Sequence, residues 1–106
     1  MRTLVPPREI ANDYFLLIWD PIGGVYVLSL TDGRSYELGD DEDTRIYFTN
    51  VLQLGELGDR AMDSARNWYT TVVIPKDNRC FHVETKESQT EYQRLFKTPP
   101  PELIIV

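Results

Sequence analysis

The sequence predicts an α+β domain: an antiparallel sheet of about five to six strands, in βββ-αα-ββ-α-β order, with helices packed on one face. Three observations carry this reading. Residues 14–38 alternate short apolar, β-branched and aromatic runs with turn residues, as a strand meander does. Residues 40–68 change to a helical period. Residues 69–85 then return to β-branched and aromatic runs around a Pro75-Lys76-Asp77-Asn78 turn.

The elements follow in order. Residues 1–13 read as an N-terminal arm, held extended by Pro6 and Pro7 and anchored by Leu4, Val5 and Ile10. Residues 14–19 form a nearly continuous apolar run of strand length, expected to be buried. Asp20-Pro21-Ile22-Gly23-Gly24 is turn chemistry, because proline presets φ and glycine accepts positive φ. Residues 25–31 place Val25 and Val27 against Tyr26, Leu28 and Leu30, which suits a strand covered on both faces. Asp32-Gly33 signals a tight hairpin into a shorter strand over 34–38, with Tyr36 and Leu38 on one face.

Asp40 is a good helix N-cap, and the carboxylates of Asp41, Glu42 and Asp43 suit the positive first turn. Tyr47, Phe48, Val51, Leu52 and Leu54 make the apolar face of that helix, and Gly55 is expected to close it. Leu57, Ala61, Ala65 and Trp68 mark a second helical stripe beginning near Gly58-Asp59. Residues 69–74 and 79–85 read as a hairpin. Ser88 and Glu91 have the spacing of a capping box ahead of a short helix whose apolar face is Tyr92, Leu95 and Phe96. The single domain is therefore 14–98, and 99–106 is a proline-led apolar tail that ends on Leu103, Ile104, Ile105 and Val106.

Composition narrows the function classes. The 106 residues carry a net charge of −6 with no cluster of Lys and Arg, which disfavours direct nucleic-acid binding and attraction to an anionic membrane surface. Cys80 is the only cysteine, so no internal disulfide forms, and a reducing, cytoplasmic setting is the expected one. No apolar run reaches the roughly 20 residues of a spanning helix. Phosphate-cradling glycine loops, HExxH and CxxC are all absent from the sequence, and no cofactor is expected.

Four stretches carry candidate chemistry. The Asp40–Asp43 carboxylates could hold a hard cation, but the run lacks the alternate ligand spacing of a calcium loop, and helix capping accounts for it; no metal site is assigned. Cys80, His82 and Glu84 share one strand face, opposite Phe81 and Val83. Alternate strand residues are roughly 7 Å apart, too far for direct nucleophile activation, and no second histidine or cysteine completes a zinc site. A polar strand face is the plainer account. The aromatics Tyr47, Phe48, Trp68 and Tyr69, with Arg66 and Asn67, read either as core or as an interface, with Trp68 at a helix-to-strand junction and only partly covered. The tail suits strand addition, either to the protein's own sheet or to a second chain.

Acid excess, few catalytic residue types and an apolar tail point to a non-enzymatic protein-interaction module: a subunit, adaptor or inhibitor. The expected contacts are Trp68, Tyr69, Leu103, Ile104 and Ile105, on a partner with a basic surface or on a second copy in a homodimer. No catalytic residue is assigned. The alternative is a small-ligand-binding domain or enzyme with a pocket between sheet and helical insertion, using Cys80, His82, Glu84 and Arg66. A third expectation is an acidic decoy presenting Asp40–Asp43, Asp59 and Asp63 to a basic surface.

Overall fold

The computed structural model describes residues 14–30, 34–83 and 86–96. The arm, the Asp32-Gly33 turn, Glu84 and the tail with Leu103, Ile104 and Ile105 lie outside the described residues.

Five strands form one antiparallel sheet: β1 (Phe15–Asp20), β2 (Val25–Ser29), β3 (Ser35–Gly39), β4 (Thr70–Ile74) and β5 (Arg79–His82), in the spatial order β3-β2-β1-β4-β5. The helices are α1 (Asp41–Asn50), α2 (Glu56–Trp68) and α3 (Lys86–Phe96). The α+β architecture is the one the sequence predicts. No helix among the described residues is long and apolar enough to cross a membrane.

The meander is built by turn chemistry. Asp20 accepts from the amides of Ile22 (3.0 Å) and Gly23 (3.1 Å), while Gly24 takes φ 68° and donates to the Asp20 carbonyl at 2.8 Å. The turn sets Leu17 opposite Leu28 and Trp19 opposite Tyr26. Sequence-distant β4 pairs on the other side of β1, Phe15 opposite Val73, so β1 is the central strand. The β2 strand lies between β1 and β3, but only its Tyr26 and Leu28 face is fully buried; Val25, Val27 and Ser29 are half-buried.

Strand alternation sorts two cores. Phe15, Leu17, Tyr26, Leu28 and Val73 pack against Tyr47 and Phe48 of α1 and Leu57, Ala61, Met62 and Ala65 of α2. The buried Gly58 lets the helices approach closely: a Cβ there would stand 3.1 Å from the Phe48 Cβ. On the opposite face Val72, Ile74 and Val83 pack with Tyr92 of α3. The two helices of the insertion thus share one face, but the third, expected on that face with them, takes the other, where Val72, Ile74 and Val83 need cover.

The helix ends differ in part from the sequence reading. Asp40 caps α1 as expected, its carboxylate accepting from the Asp43 amide at 2.9 Å. Gly55, expected to end α1, instead sits at the start of α2 with φ 60°. The α1 helix stops at Asn50, and its last carbonyls are taken by Leu52 and Leu54 amides that fold back on Tyr47 and Phe48 (3.2 and 3.0 Å). Ser88, expected at the N-cap of the last helix, lies within α3, which begins earlier, at Lys86. Glu91 instead pairs with Arg79 of β5 (3.0 Å) and with Arg94 on its own helix.

Candidate functional site

The C-terminal turn of α2 gathers most of what is unusual here. Arg66, Asn67, Trp68 and Tyr69 are four consecutive exposed residues. Large apolar groups are normally withdrawn from such a position, yet Trp68 is 43% and Tyr69 38% exposed.

Packing of α2 explains their placement. Arg60, Ser64 and Trp68, spaced by four, lie on the helix flank that faces β4 and β5. Arg60 donates to the Asn78 carbonyl (3.2 Å), and Thr71 donates to the Ser64 hydroxyl (2.6 Å). The Trp68 ring stacks on His82 at 4.3 Å between centroids and 13° between planes. His82 Nδ1 is buried under this stack without a hydrogen-bond partner among the described residues. Trp68 is therefore held flat by one face while the rest of it meets solvent.

Tyr69 is held by its backbone. Its amide donates to the Ala65 carbonyl at 2.7 Å, ending the helix, and its carbonyl accepts from the Trp19 amide at 2.7 Å, starting the sheet. Meeting both bonds without a spacer residue forces φ 69° and ψ −41°. Positive φ with negative ψ lies outside the regions open to residues with a side chain, so this conformation is strained for tyrosine and far less so for glycine.

Beside this pair lies a polar cluster on the opposite flank of α2. Arg66 pairs with Asp41 of α1, and its guanidinium stands 5.0 Å over the Trp19 ring. Tyr26 donates to Asp41 at 2.6 Å, and its ring packs 4.8 Å from Trp19. The Arg66 and Tyr26 hydrogen bonds hold the Asp41 carboxyl below its ordinary pKa. Burial, then the Asp41 contact, pushes the Tyr26 phenol up to about 12. Next to this network a groove of about 570 Å³ opens between α1 and α2, lined by Asp41, Arg45, Asp59, Asp63 and Arg66 among others. Arg45 faces Asp59 across it at 3.7 Å.

The polar groups of the ligand-pocket alternative are not brought together. Arg66 lines the groove, His82 lies beneath Trp68 on the other flank of α2, and Cys80 packs against the larger core. Tyr47 and Phe48 are core. Burial raises the Cys80 thiol pKa, so the thiolate that a nucleophile requires is disfavoured at neutral pH. Cys80 should therefore react with a disulfide reagent at pH 7.5 more slowly than free cysteine, and the rate should still be climbing above pH 9. A rate at or above that of free cysteine would restore Cys80 as a reactive centre. Among the described residues no group of three or more His, Cys, Asp or Glu could hold a metal ion.

Sequence reasoning singles out Trp68 and Tyr69 by residue type but misses Trp19, whose amide bonds the Tyr69 carbonyl, and misses the Tyr69 backbone altogether. One signal was available: a helix runs into a strand through Asn67-Trp68-Tyr69-Thr70 with no glycine to make the turn. No family model, curated protein or solved structure matches the chain.

Proposed function

We propose that this chain is a small, acidic, non-enzymatic module that acts by binding another protein, with Trp68 and Tyr69 as the anchors of contact. The observation that carries this reading is the Tyr69 backbone. A tyrosine at φ 69° costs stability that a glycine would spare, and the residue stays 38% exposed. Strain retained at a surface position is accounted for when the side chain has work outside the fold. Trp, Tyr and Arg are also the residue types on which binding energy concentrates, and Arg66, Trp68 and Tyr69 stand together here. Trp68 stacked on His82 and Tyr69 tied at both backbone ends are ordered before any partner arrives, so little entropy is lost on contact.

The test compares Tyr69→Gly with Tyr69→Ala. Both remove the ring, but alanine keeps the Cβ in the strained region. The glycine variant should be the more stable by about 1–2 kcal/mol in urea unfolding. Affinity capture from the source lysate should lose the same specific protein with Tyr69→Gly, Tyr69→Ala and Trp68→Ala, while each variant remains folded by circular dichroism. Capture unchanged by all three would refute the reading, and an alanine variant as stable as the glycine variant would remove the strain argument for it.

A further inference from the structure

The surface that receives a partner extends beyond the end of α2, and strand register says where. Asp20 pairs with Val25, so the turn that carries Ile22 closes the same sheet end at which Ile18 meets Thr70 at the start of β4. Thr71 opposite His82 brings the last residue of β5 to that end, and Tyr26 opposite Gly39 brings the last residue of β3 and hence the start of α1. The exposed large apolar side chains among the described residues are Ile22 (73%), Ile46, Trp68 and Tyr69. All except Ile46 lie at this one end, though they come from a β-turn and a helix terminus far apart in sequence.

The rim of the same end is acidic. Asp20 sits at the end of β1, and Asp40, Asp41, Glu42 and Asp43 form the cap and first turn of α1. Arg66 takes Asp41. Among the described residues the Asp20 and Asp40 carboxylates accept from backbone amides only, and Glu42 and Asp43 have no cationic partner. Exposed apolar side chains at the same sheet end as carboxylates with no cationic partner among the described residues, on a chain of net charge −6, are complementary to apolar groups flanked by cations and repel apolar groups flanked by anions.

Resting on the interaction reading above, we infer that this sheet end, with Ile22, Trp68 and Tyr69 at its centre and Glu42 and Asp43 at its rim, receives a protein segment whose apolar side chains lie between lysines or arginines. The aromatic groups supply most of the affinity, and the rim selects the sign of the partner's charge and speeds the encounter.

Two probes separate these parts: acetylated, amidated Lys-Leu-Phe-Leu-Lys and its Glu-Leu-Phe-Leu-Glu counterpart, titrated into the full ¹⁵N-labelled chain at low salt. The lysine peptide should shift the amides of Ile22, Glu42, Asp43, Trp68 and Tyr69, and should bind at least about fivefold more tightly than the glutamate peptide. Glu42→Gln/Asp43→Asn, which leaves the Asp40 cap intact, should weaken the lysine peptide about threefold and leave the glutamate peptide unchanged. Trp68→Ala should weaken the lysine peptide about tenfold. The spectra report directly whether each variant keeps the fold. Equal binding of the two peptides, or a rim variant without effect, overturns the charge selection, and the aromatic anchor survives if Trp68→Ala still weakens binding. Binding unchanged by Trp68→Ala overturns the anchor itself. Shifts confined to some other surface, or no shifts with either peptide, overturn the assignment of this sheet end.

Discussion

Phe15→Ala is expected to destabilise the protein by about 3–5 kcal/mol, a large part of the stability of a small domain. Phe15 has no exposed surface, lies on the central strand opposite Val73, and sets its ring 6.1 Å from that of Phe48. Truncation removes the apolar area and leaves a space that neither β4 nor α1 can easily fill. The sheet side is held by ladder bonds and the helix side by the close α1–α2 contact at Gly58. Urea unfolding monitored by circular dichroism measures the loss, with the denaturant slope unchanged if the transition stays two-state. A loss below about 1.5 kcal/mol would mean that the site collapses freely, and that α1 is not fixed against the sheet as described. Because α1 carries Asp41 and α2 carries Trp68, the same core that gives stability also sets the spacing of the proposed contact surface.

The local chemistry of the fold was legible in the sequence. The Asp20–Gly24 turn, the Asp40 cap and the positions of β1, β2 and β3 each follow from residues close in sequence, and the structure has them, although β1 and β2 bury one face fully rather than both. Gly55 was misread because glycine serves either end of a helix. What decides between them is that Gln53, not glycine, takes the positive φ (54°) that follows α1, leaving Gly55 to turn the chain into α2. The sequence reading also sets α3 on the same face as α1 and α2, and the structure sets it on the other. Its Tyr92 would suit either face of the sheet, and the choice follows from Val72, Ile74 and Val83 needing cover on the face that α1 and α2 leave open.

The candidate site was legible only as a list of residue types. Trp68 at a junction could be read as partly exposed, but its stacking on His82 depends on β5 lying beside β4 under α2. Tyr69 draws its strain from two partners, Ala65 on the helix and Trp19 on a strand about fifty residues earlier, so no local pattern encodes it. Ile22 looks like an ordinary turn residue. It joins Trp68 and Tyr69 only through a strand order in which β1 lies between β2 and β4.

Gly39→Val should be the second severe change, costing about 2–4 kcal/mol, and it bears on the site as well as on the fold. Gly39 ends β3 at φ 102°, and a Cβ there would lie 2.5 Å from Oδ2 and 2.8 Å from Cβ of Asp43. The second of these atoms belongs to the root of a helical side chain, so relief requires that the first turn of α1 move. That turn holds the Asp40 cap and places Asp41 between Tyr26 and Arg66, and Arg66 in turn covers Trp19. A displaced α1 should therefore loosen Arg66 from Trp19 and change tryptophan emission in the folded state, before any unfolding. Gly24→Ala is the control. Gly24 also has positive φ (68°), but a Cβ there meets nothing within 4 Å, so only the backbone cost of about 1 kcal/mol remains. Stability of the two variants by urea unfolding isolates the steric part, expected to be at least about 1 kcal/mol, and only Gly39→Val should alter the folded-state emission. Equal losses would show that α1 yields to the added atoms. The rim of the sheet end would then be adjustable and unable to present Glu42 and Asp43 at a fixed distance from Trp68.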